Sequence, residues 1–434
     1  MKSRFLIGAL SSGGGKTTLT MGILRALHDR GLKVQPFKCG PDYIDTRFHE
    51  AATGKASVNL DTWLSSESHV KELYARYGAD ADVCVTEGVM GLYDGYDRSS
   101  GSSAAIAQLT ATPVVLVAGA RSTSYTLAAQ LWGMKHFRPG LQFAGVVFNQ
   151  VGSARHERLL LQAAEDAGLP CLGTLPRLPE LEIPSRHLGL QLADEGEMKQ
   201  RTERAAEIVE SYVDLSELLL RTRAEGPLAA AEAAAPMQAD RPLRIAVARD
   251  AAFNFIYREN LHRLAQVGQL HFFSPLAGDP LPEAELVYFP GGYPELYAEE
   301  LARQKDLKRQ VQEYAEDGGR ILAECGGMIW LSQAIEGLES GTAPMCGVLP
   351  FSATMEGARL HMGYRRIVDA SGRVWRGHEF HYSQLTDPSA LPSIAKQYNA
   401  AGEEVGTPLY RYKNVVAGYT HFYWGESDIL YLWK

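Results

Sequence analysis

The sequence predicts an α/β fold in two parts, an N-terminal unit with a doubly wound, mostly parallel sheet and a second α/β unit after it. Three observations lead to this prediction. A chain of 434 residues is too long for one ordinary core. Short runs rich in Val, Ile, Leu and Phe alternate with helical stretches, as buried parallel strands do. The same pattern then restarts after a segment without apolar periodicity.

That segment, residues 221–242, is rich in Ala, Glu and Pro and is predicted to be a linker. Its AAAEAAA stretch could also form a turn or two of helix. The predicted boundaries are therefore 1–220 for the first domain and 243–434 for the second.

Each expected strand is a nearly continuous apolar run. In the first domain these runs are RFLIGAL, LKVQPFK, DVCVTE, PVVLVAG and AGVVFN. In the second domain they are LRIAVAR, ELVYFPGG and RILAECGG, followed by the strand signals MCGVLP, RGHEFHYS and VVAGYTHFYW.

Composition and charge limit the function classes. The net charge is -8, so the chain lacks the concentrated basic face that a nucleic-acid partner requires. The apolar run at the N-terminus is too short for a signal peptide, and we expect no membrane span. The cysteine count is five, without the close spacing of a zinc site, which favours reduced thiols and a cytoplasmic protein.

The first strand leads into a glycine-rich loop and then a helical stretch, the context of a phosphate-binding loop. Gly13, Gly14 and Gly15 would let backbone amides surround ATP phosphates, and Lys16 would bridge the terminal phosphates. Thr17 would hold Mg²⁺, with Thr18 beside it. In the usual pattern a first Gly is separated by four residues from the Gly-Lys pair, and Leu10 stands at that position instead.

Polar side chains follow neighbouring strands at the sheet edge where ligands bind in open parallel sheets. Asp42 and Glu87 are candidates for Mg²⁺, and Lys38 could neutralise phosphate charge. Asn149, at the end of AGVVFN, could contact adenine. Taken singly, each carboxylate could instead cap a helix or form a turn, and Asn149 could be a turn residue.

A second set of chemical residues lies in the C-terminal half. Cys325 sits between a strand and a helical stretch, flanked by small residues, as a nucleophile at a sharp turn does. Amides of Gly292 and Gly326 could stabilise an oxyanion, and His421 could act as base and then acid. The competing interpretation is a cysteine and a histidine that serve only the core.

These motifs resemble a known family over essentially the whole chain. The C-terminal half resembles a class I glutamine amidotransferase domain of the cobyric acid synthase branch, and the N-terminal half resembles dethiobiotin synthetase. In this order the two resemble the cobyrinate a,c-diamide synthase family. The most specific motifs are SSGGGKTT, KCGPDYID, TEGVMGLYDG, FPGGYPE, ECGGM and GHEFHYS.

The resemblance implies residue roles. Cys325 would be the glutaminase nucleophile and His421 its partner, while Asp42, Tyr43, Asp45, Glu87 and Asp94 would serve metal and substrate. Many relatives in the wider amidotransferase group carry Glu two residues after the His. Tyr423 stands at that position here, which predicts a Cys–His dyad.

The resemblance also implies a reaction: ATP- and glutamine-dependent amidation of the a- and c-acetate groups of cobyrinate through acyl phosphates, in cobalamin biosynthesis. Hydrogenobyrinate or nickel-sirohydrochlorin are alternative substrates, and cobyric acid synthase is a related alternative. A P-loop partitioning ATPase is the alternative from another class, but it needs no ECGG elbow.

A flat tetrapyrrole that carries many carboxylates calls for cations and aromatic rings. We expect His381 and Tyr382, in GHEFHYS, to meet the ring, against the alternative that this is an ordinary strand with a polar face. The oligomeric state stays open, with a homodimer as the candidate.

Overall fold

The computed structural model describes residues 2–177, 195–224, 226, 235 and 237–434. Their contacts form two compact units, one from residues before 225 and one from residues after 234. The middle of the predicted linker, including nearly all of AAAEAAA, lies outside the described residues. The linker and the two domain boundaries therefore stay predictions.

The first unit contains one sheet of seven strands, all parallel, in the order β3-β2-β4-β1-β5-β6-β7. Its strands are β1 (Ser3–Ala9), β2 (Val34–Cys39), β3 (Val58–Leu60), β4 (Val83–Glu87), β5 (Val114–Gly119), β6 (Phe143–Val151) and β7 (Cys171–Pro176). All five strands predicted for this half are present.

Eight helices accompany this sheet among the described residues. They are α1 (Lys16–Asp29), α2 (Asp45–Thr53), α3 (Glu67–Gly78), α4 (Ser103–Leu109), α5 (Leu127–His136), α6 (Ala154–Asp166), α7 (Glu195–Tyr212) and α8 (Leu215–Arg221). Alternate side chains of β1 enter different cores: Phe5 and Ile7 pack in one cluster and Leu6 in another. Both faces of the sheet are thus covered, which explains the unbroken apolar runs.

The second unit is built on a six-stranded sheet with the order β20-β21-β11-β10-β8-β9, parallel except for β20. These strands are β8 (Leu243–Ala248), β9 (Gly268–Phe273), β10 (Leu286–Phe289), β11 (Arg320–Glu324), β20 (Leu409–Tyr412) and β21 (Val415–Gly418). Its helices are α9 (Arg258–Val267), α10 (Ala298–Arg303), α11 (Lys305–Glu316) and α12 (Gly326–Leu331), with short 3-10 helices at Pro294–Tyr297 and Ile429–Trp433.

Two smaller sheets complete this unit. One has the order β13-β12-β14-β17, and the other is the antiparallel sheet β19-β18-β15-β16-β22. Their strands are β12 (Ala334–Leu338), β13 (Gly341–Pro344), β14 (Ala353–Thr354), β15 (His361–Asp369), β16 (Val374–His381), β17 (Gln384–Leu385), β18 (Ala395–Tyr398), β19 (Glu404–Val405) and β22 (Thr420–Tyr423).

One strand prediction needs correction. MCGVLP is wrong as a strand, because residues 345–350 form a loop after β13, in which Met345, Cys346, Val348 and Leu349 are buried. Its apolar content misled the prediction, since apolar content marks burial in loops as well as in strands. The strand signals in VVAGYTHFYW correspond to two strands, β21 and β22, which Tyr419 separates and which belong to different sheets.

The strand directions bring the chemical motifs together within each unit. Because β1, β2 and β4 are parallel neighbours, the segments that follow them meet at one edge of the sheet. The segments after β10 and β11 meet in the same way in the second unit. Among the described helices, none is long and apolar enough to cross a membrane.

Candidate functional site

The glycine-rich loop between β1 and α1 is shaped by backbone that favours glycine. Gly13 and Gly15 have φ of 73° and 95°. A Cβ on Gly15 would lie 2.0 Å from Nδ2 of Asn149, and that amide donates a hydrogen bond to the Gly14 carbonyl at 3.2 Å. Asn149 therefore holds the loop in place through this hydrogen bond, while its contact with adenine stays a prediction.

The first two residues of α1 point to the loop that follows β4. Lys16 Nζ donates to the carbonyl of Met90 at 2.5 Å, and Thr17 Oγ1 donates to Glu87 Oε1 at 2.8 Å. Burial, followed by the charge of Lys38, lowers the pKa of Lys16. The two sequence motifs predicted to share a site thus touch through side chains.

Glu87 is the centre of a buried charge network at the end of β4. Its Oε1 lies 3.1 Å from Lys38 Nζ, which also contacts Asp45 Oδ2 at 2.8 Å. Its Oε2 lies 2.7 Å from His49 Nε2. Burial alone would raise the pKa of Glu87, but Lys38 and the His49 hydrogen bond outweigh it and hold the pKa near 2. Glu87 is therefore ionised at neutral pH.

Lys38 is buried as deeply as the carboxylates beside it. Burial acts to lower its pKa, but the charges of Asp45 and Glu87 reverse this and raise it above the ordinary value for lysine. A charged ammonium thus lies next to Glu87, which Thr17 of the loop also contacts. Its predicted role in neutralising phosphate charge stays a prediction.

Three other predicted residues surround this network. Asp42 Oδ1 accepts the backbone N–H groups of Ile44 and Asp45 at 2.9 Å each, at the start of α2. Asp94 Oδ2 accepts the Gly91 amide at 2.9 Å. One oxygen of each carboxylate thus has the turn or capping role that the sequence analysis considered for it. Tyr43 is buried, and the metal and substrate roles of all three stay predictions.

Cys325 occupies the elbow between β11 and α12. Its φ of 47° and ψ of -107° place a residue with a side chain in a sparsely populated region, which costs of order 1–3 kcal/mol. Its amide donates to the Gly418 carbonyl at 2.7 Å, and Sγ lies 3.5 Å from the Phe380 carbonyl. The strained nucleophile turn predicted from ECGG is present.

Glycines allow three motifs to converge around this elbow. A Cβ on Gly326 would lie 3.0 Å from the Gly292 nitrogen, and one on Gly291 would lie 2.0 Å from His421 Cε1. The FPGG turn therefore contacts both the nucleophile elbow and the predicted base. His421 comes from β22 of the antiparallel sheet, where it is paired with His378 of β16.

Cys325 and His421 are both buried and favour their neutral forms. Burial, followed by the charge of Glu295, raises the pKa of Cys325, while the Gly326 amide acts in the opposite direction. Burial, followed by the charges of His378 and His381, lowers the pKa of His421 to about 3. The pair is therefore a thiol and a neutral imidazole near pH 7.

The two residues predicted to meet a tetrapyrrole ring differ in exposure. His381 is buried, with Nδ1 2.8 Å from the Ser383 carbonyl and Nε2 2.7 Å from Glu379 Oε1. Its ring also stacks on Tyr419 at 3.6 Å. Tyr382 is partly exposed. The burial of His381 gives no support to a ring contact there, because both ring nitrogens are already engaged.

Three residues of the two sites were missed by the sequence analysis. His49 lies four residues after Asp45, so helical spacing could have placed both on one face of α2. Glu379 contacts His381, Arg365 and Thr407. The charge of Glu295 raises the pKa of Cys325. Both glutamates were within the motifs GHEFHYS and FPGGYPE, but no spacing rule gave them a role.

The fold and these geometries define a class: a nucleotide-binding unit of the P-loop type joined in one chain to a thiol-based amidotransferase unit. Residues 5–190 match the family described as CobQ/CobB/MinD/ParA nucleotide binding domain, and residues 244–429 match the CobB/CobQ-like glutamine amidotransferase domain. Comparison with curated proteins carries the assignment further. The chain belongs to the family of cobyrinate and hydrogenobyrinate a,c-diamide synthases.

Three relatives illustrate the extent of the similarity. The chain is 39% identical over 428 residues to hydrogenobyrinate a,c-diamide synthase of Brucella abortus, covering 96% of this chain and 97% of that protein. Cobyrinate a,c-diamide synthase of Picrophilus torridus is 38% identical over 433 residues, covering 97% and 96%. The Listeria innocua cobyrinate enzyme is 37% identical over 442 residues, covering 99% and 98%.

Proposed function

We propose that this protein uses ATP and glutamine to convert the a- and c-acetate carboxylates of cobyrinate into amides, in cobalamin biosynthesis. The observation that carries the proposal is that one chain holds both a phosphate-binding loop hydrogen-bonded to Glu87 and a strained Cys325 elbow that shares the FPGG turn with His421. A carboxylate is a poor electrophile and must be activated, and ammonia must be supplied. The first site would activate the carboxylate, and the second would supply the ammonia.

At the second unit, the Cys325 sulfur attacks the carboxamide carbon of glutamine, and His421 takes the thiol proton. The amides of Gly292 and Gly326 stabilise the oxyanion. The C–N bond then breaks, His421 returns the proton to the leaving nitrogen, and ammonia departs. Water hydrolyses the thioester to glutamate. The contact of Gly291 with His421 and of Gly292 with Gly326 supports this assignment.

At the first unit, the substrate carboxylate attacks the terminal phosphorus of ATP, ADP leaves, and an acyl phosphate forms. Ammonia then attacks the acyl carbon and releases phosphate. Gly13, Gly14, Gly15 and Thr18 hold the phosphates, and the charges of Lys16 and Lys38 oppose the negative charge of the transferring group. The buried, permanently charged state of Lys38 supports this role.

Thr17 and Glu87 fit a magnesium ion, because their hydroxyl and carboxylate oxygens lie 2.8 Å apart at the phosphate loop. Asp42 would complete the ligand set. Among the described residues no group of three or more His, Cys, Asp or Glu side chains could hold a metal. This agrees with an ion bound together with phosphates rather than by the protein alone. When bound, magnesium neutralises phosphate charge.

For the tetrapyrrole we propose Tyr43, Asp45, Asp94 and Tyr382 as contacts, with His381 retained only as the weaker prediction described above. Asp94 is exposed in the loop after β4 and is therefore accessible to a bulky substrate. The five cysteines are free, which agrees with the proposed cytoplasmic location. A homodimer stays a prediction.

Product mass tests the proposal. The protein is supplied with ATP, Mg²⁺ and glutamine, and with cobyrinate, hydrogenobyrinate or nickel-sirohydrochlorin in separate reactions. We expect diamide from cobyrinate and glutamate released in step with it. If diamide forms only from hydrogenobyrinate, or only from nickel-sirohydrochlorin, that ring is the substrate instead of cobyrinate. ATP hydrolysis without glutamate release would instead favour a partitioning ATPase.

A further inference from the structure

The strand that carries His421 is the end strand of its sheet. β22 pairs with β16, and in that pairing His421 is the partner of His378. An end strand turns half of its backbone N–H and C=O groups away from the sheet, and such groups need partners when they are buried. All four residues of β22, Thr420–Tyr423, are buried. The partners of this outer edge therefore help to decide where His421 lies.

Two buried side chains bind the outer edge of β22. Glu324 Oε1 accepts a hydrogen bond from the Phe422 amide at 3.0 Å. Asn260, on α9, donates from Nδ2 to the Phe422 carbonyl at 2.7 Å and accepts from the Trp424 amide at 2.8 Å. Glu324 is 1% exposed and Asn260 is 0% exposed. Both backbone groups of Phe422, the residue directly after His421, are thus held by side chains.

Glu324 connects the nucleophile and the base through the backbone. It is the last residue of β11 and directly precedes Cys325, while the amide that it holds directly follows His421. At this point β11 still pairs with Gly418, the last residue of β21, and the chain then crosses to β22 in the other sheet. The Glu324 carboxyl group therefore joins the two strands where their sheets separate.

The Glu324 carboxyl group is itself held in one orientation. Tyr288, on the neighbouring strand β10, donates its hydroxyl hydrogen bond to Oε2 at 2.7 Å, so each carboxyl oxygen has its own partner. The imidazole of His421 is closely surrounded as well, since a Cβ on Gly291 would lie 2.0 Å from its Cε1. A small shift of β22 would therefore change how His421 meets Cys325.

We propose that Glu324 is a positioning residue of the glutaminase site, which sets the place of His421 relative to Cys325 by holding the Phe422 amide. The inference rests on the proposed glutaminase reaction and adds to it a group that acts only through the backbone. A histidine that serves as base is generally oriented by a third group. In this site a carboxyl group one residue before the nucleophile fills that role.

The role depends on the reach of the side chain and not on its charge, because the group that Glu324 holds is a neutral amide. Glutamine at this position has the same length and keeps an oxygen for the Phe422 amide. Aspartate keeps the acid but is one methylene group shorter, so its oxygen no longer reaches that amide. The two conservative substitutions therefore separate positioning from any function of the acid itself.

Steady-state glutaminase kinetics of Glu324 variants of the full chain test the proposal. In Glu324→Ala we expect kcat to fall roughly 10- to 100-fold, as for displacement of a catalytic group by about 1 Å. The KM for glutamine should stay the same, because no contact with the substrate is lost. Glu324→Gln should keep the native kcat. Glu324→Asp should lose activity as Glu324→Ala does, and it serves if the alanine variant does not fold.

Tyr410→Phe is the matched control. It removes another hydrogen bond of a buried side chain in the same unit, from the Tyr410 hydroxyl to the Pro388 carbonyl at 2.9 Å. It should leave kcat and KM unchanged. Amidation with ammonium salt, which does not need the glutaminase site, should also be unchanged in every variant. Thermal melting checks that each variant is folded at the temperature of the assay.

Three results would overturn the inference. A native kcat in both Glu324→Ala and Glu324→Asp would show that the Phe422 hydrogen bond does not set the place of His421. An equal loss of kcat in Glu324→Gln and Glu324→Ala would make the acid group the active feature. A raised KM with native kcat would place Glu324 in glutamine binding. If the native protein releases no ammonia from glutamine, the proposed function fails first, and no variant is needed to see it.

Discussion

The two candidate sites differ in charge: the first is made of paired ions and the second of neutral groups. At the sheet edge of the first unit, Glu87 is shared by Thr17, Lys38 and His49, and every charged group there has a charged or hydrogen-bonding neighbour. At the elbow of the second unit, Cys325 and His421 are buried and neutral, and the distinctive feature is strained backbone.

The difference follows from what each site must handle. Phosphates and a carboxylate bring negative charge, so the first site needs cations that are charged near neutral pH. A carboxamide is neutral, so the second site needs atoms in the right place and protons that can move between them. Buried ion pairs give the first property, and a neutral thiol–imidazole pair gives the second.

Loss of Lys16 should have the largest effect, because it removes a cation from the charged site. In Lys16→Ala we expect amidation to fall at least roughly 100-fold with either glutamine or ammonium salt as nitrogen source. Glutaminase activity should persist. The measurement is diamide formation by mass spectrometry, with Lys33→Ala, an exposed lysine of the same unit, as control. Near-normal turnover would mean that this loop is not the nucleotide site.

Loss of Cys325 should abolish one nitrogen source only. Cys325→Ala removes the nucleophile, so glutamine-dependent amidation should stop while amidation with ammonium salt continues. Cys346→Ala removes another buried thiol of the same unit and should keep both activities. If Cys325→Ala is equally inactive with ammonium salt, Cys325 does more than release ammonia, and the separation of the two sites is wrong.

Asp94 should have an intermediate effect, because it is exposed near the charged network rather than inside it. In Asp94→Asn we expect one amidation to slow more than the other, so that a monoamide accumulates during a time course. Glu87→Gln should slow both steps together, since Glu87 contacts Thr17 and Lys38. Asp97→Asn, in the same loop, is the control. Equal loss of both steps in Asp94→Asn would contradict the division of roles.

The smallest expected effect concerns how the stability of the second unit depends on pH. Glu324 accepts hydrogen bonds from Tyr288 Oη and the Phe422 amide, and burial raises its pKa from 4.5 to about 8. Between these two pKa values the folded protein holds a proton that the unfolded chain releases. Raising the pH through this range therefore favours unfolding.

Glu324→Gln imitates the protonated side chain, so its melting temperature should fall less between pH 5 and pH 8 than that of the native protein. Glu339→Gln, an exposed position, should follow the native protein. Differential scanning calorimetry at several pH values provides the measurement. Parallel pH curves for Glu324→Gln and the native protein would show that Glu324 is ionised in the folded state.

The sequence predicted those parts of the fold that depend on burial on both faces of a sheet. Runs such as PVVLVAG and RILAE can hardly be anything but covered strands, and they are β5 and β11. The prediction failed where residues are buried without forming a strand. Met345, Cys346, Val348 and Leu349 are buried without a strand, and the break at Tyr419 depends on packing between two sheets that no local pattern shows.

For the sites, the sequence predicted motifs and the edges where they meet, since parallel strands end at the same edge. It could not predict that the Met90 carbonyl accepts from Lys16, because a backbone acceptor is present at every position. Nor could it show that Lys38 is shared between Asp45 and Glu87, because that depends on the distance between α2 and β4.

The neutral state of Cys325 also bears on how the protein meets oxidants. Peroxides and alkylating reagents react with thiolates far faster than with thiols. A nucleophile that is buried and protonated at rest is thereby shielded from sulfenic acid formation, although catalysis needs its reactive form. Vulnerability would then be confined to the moments of turnover, when the proton has moved to His421.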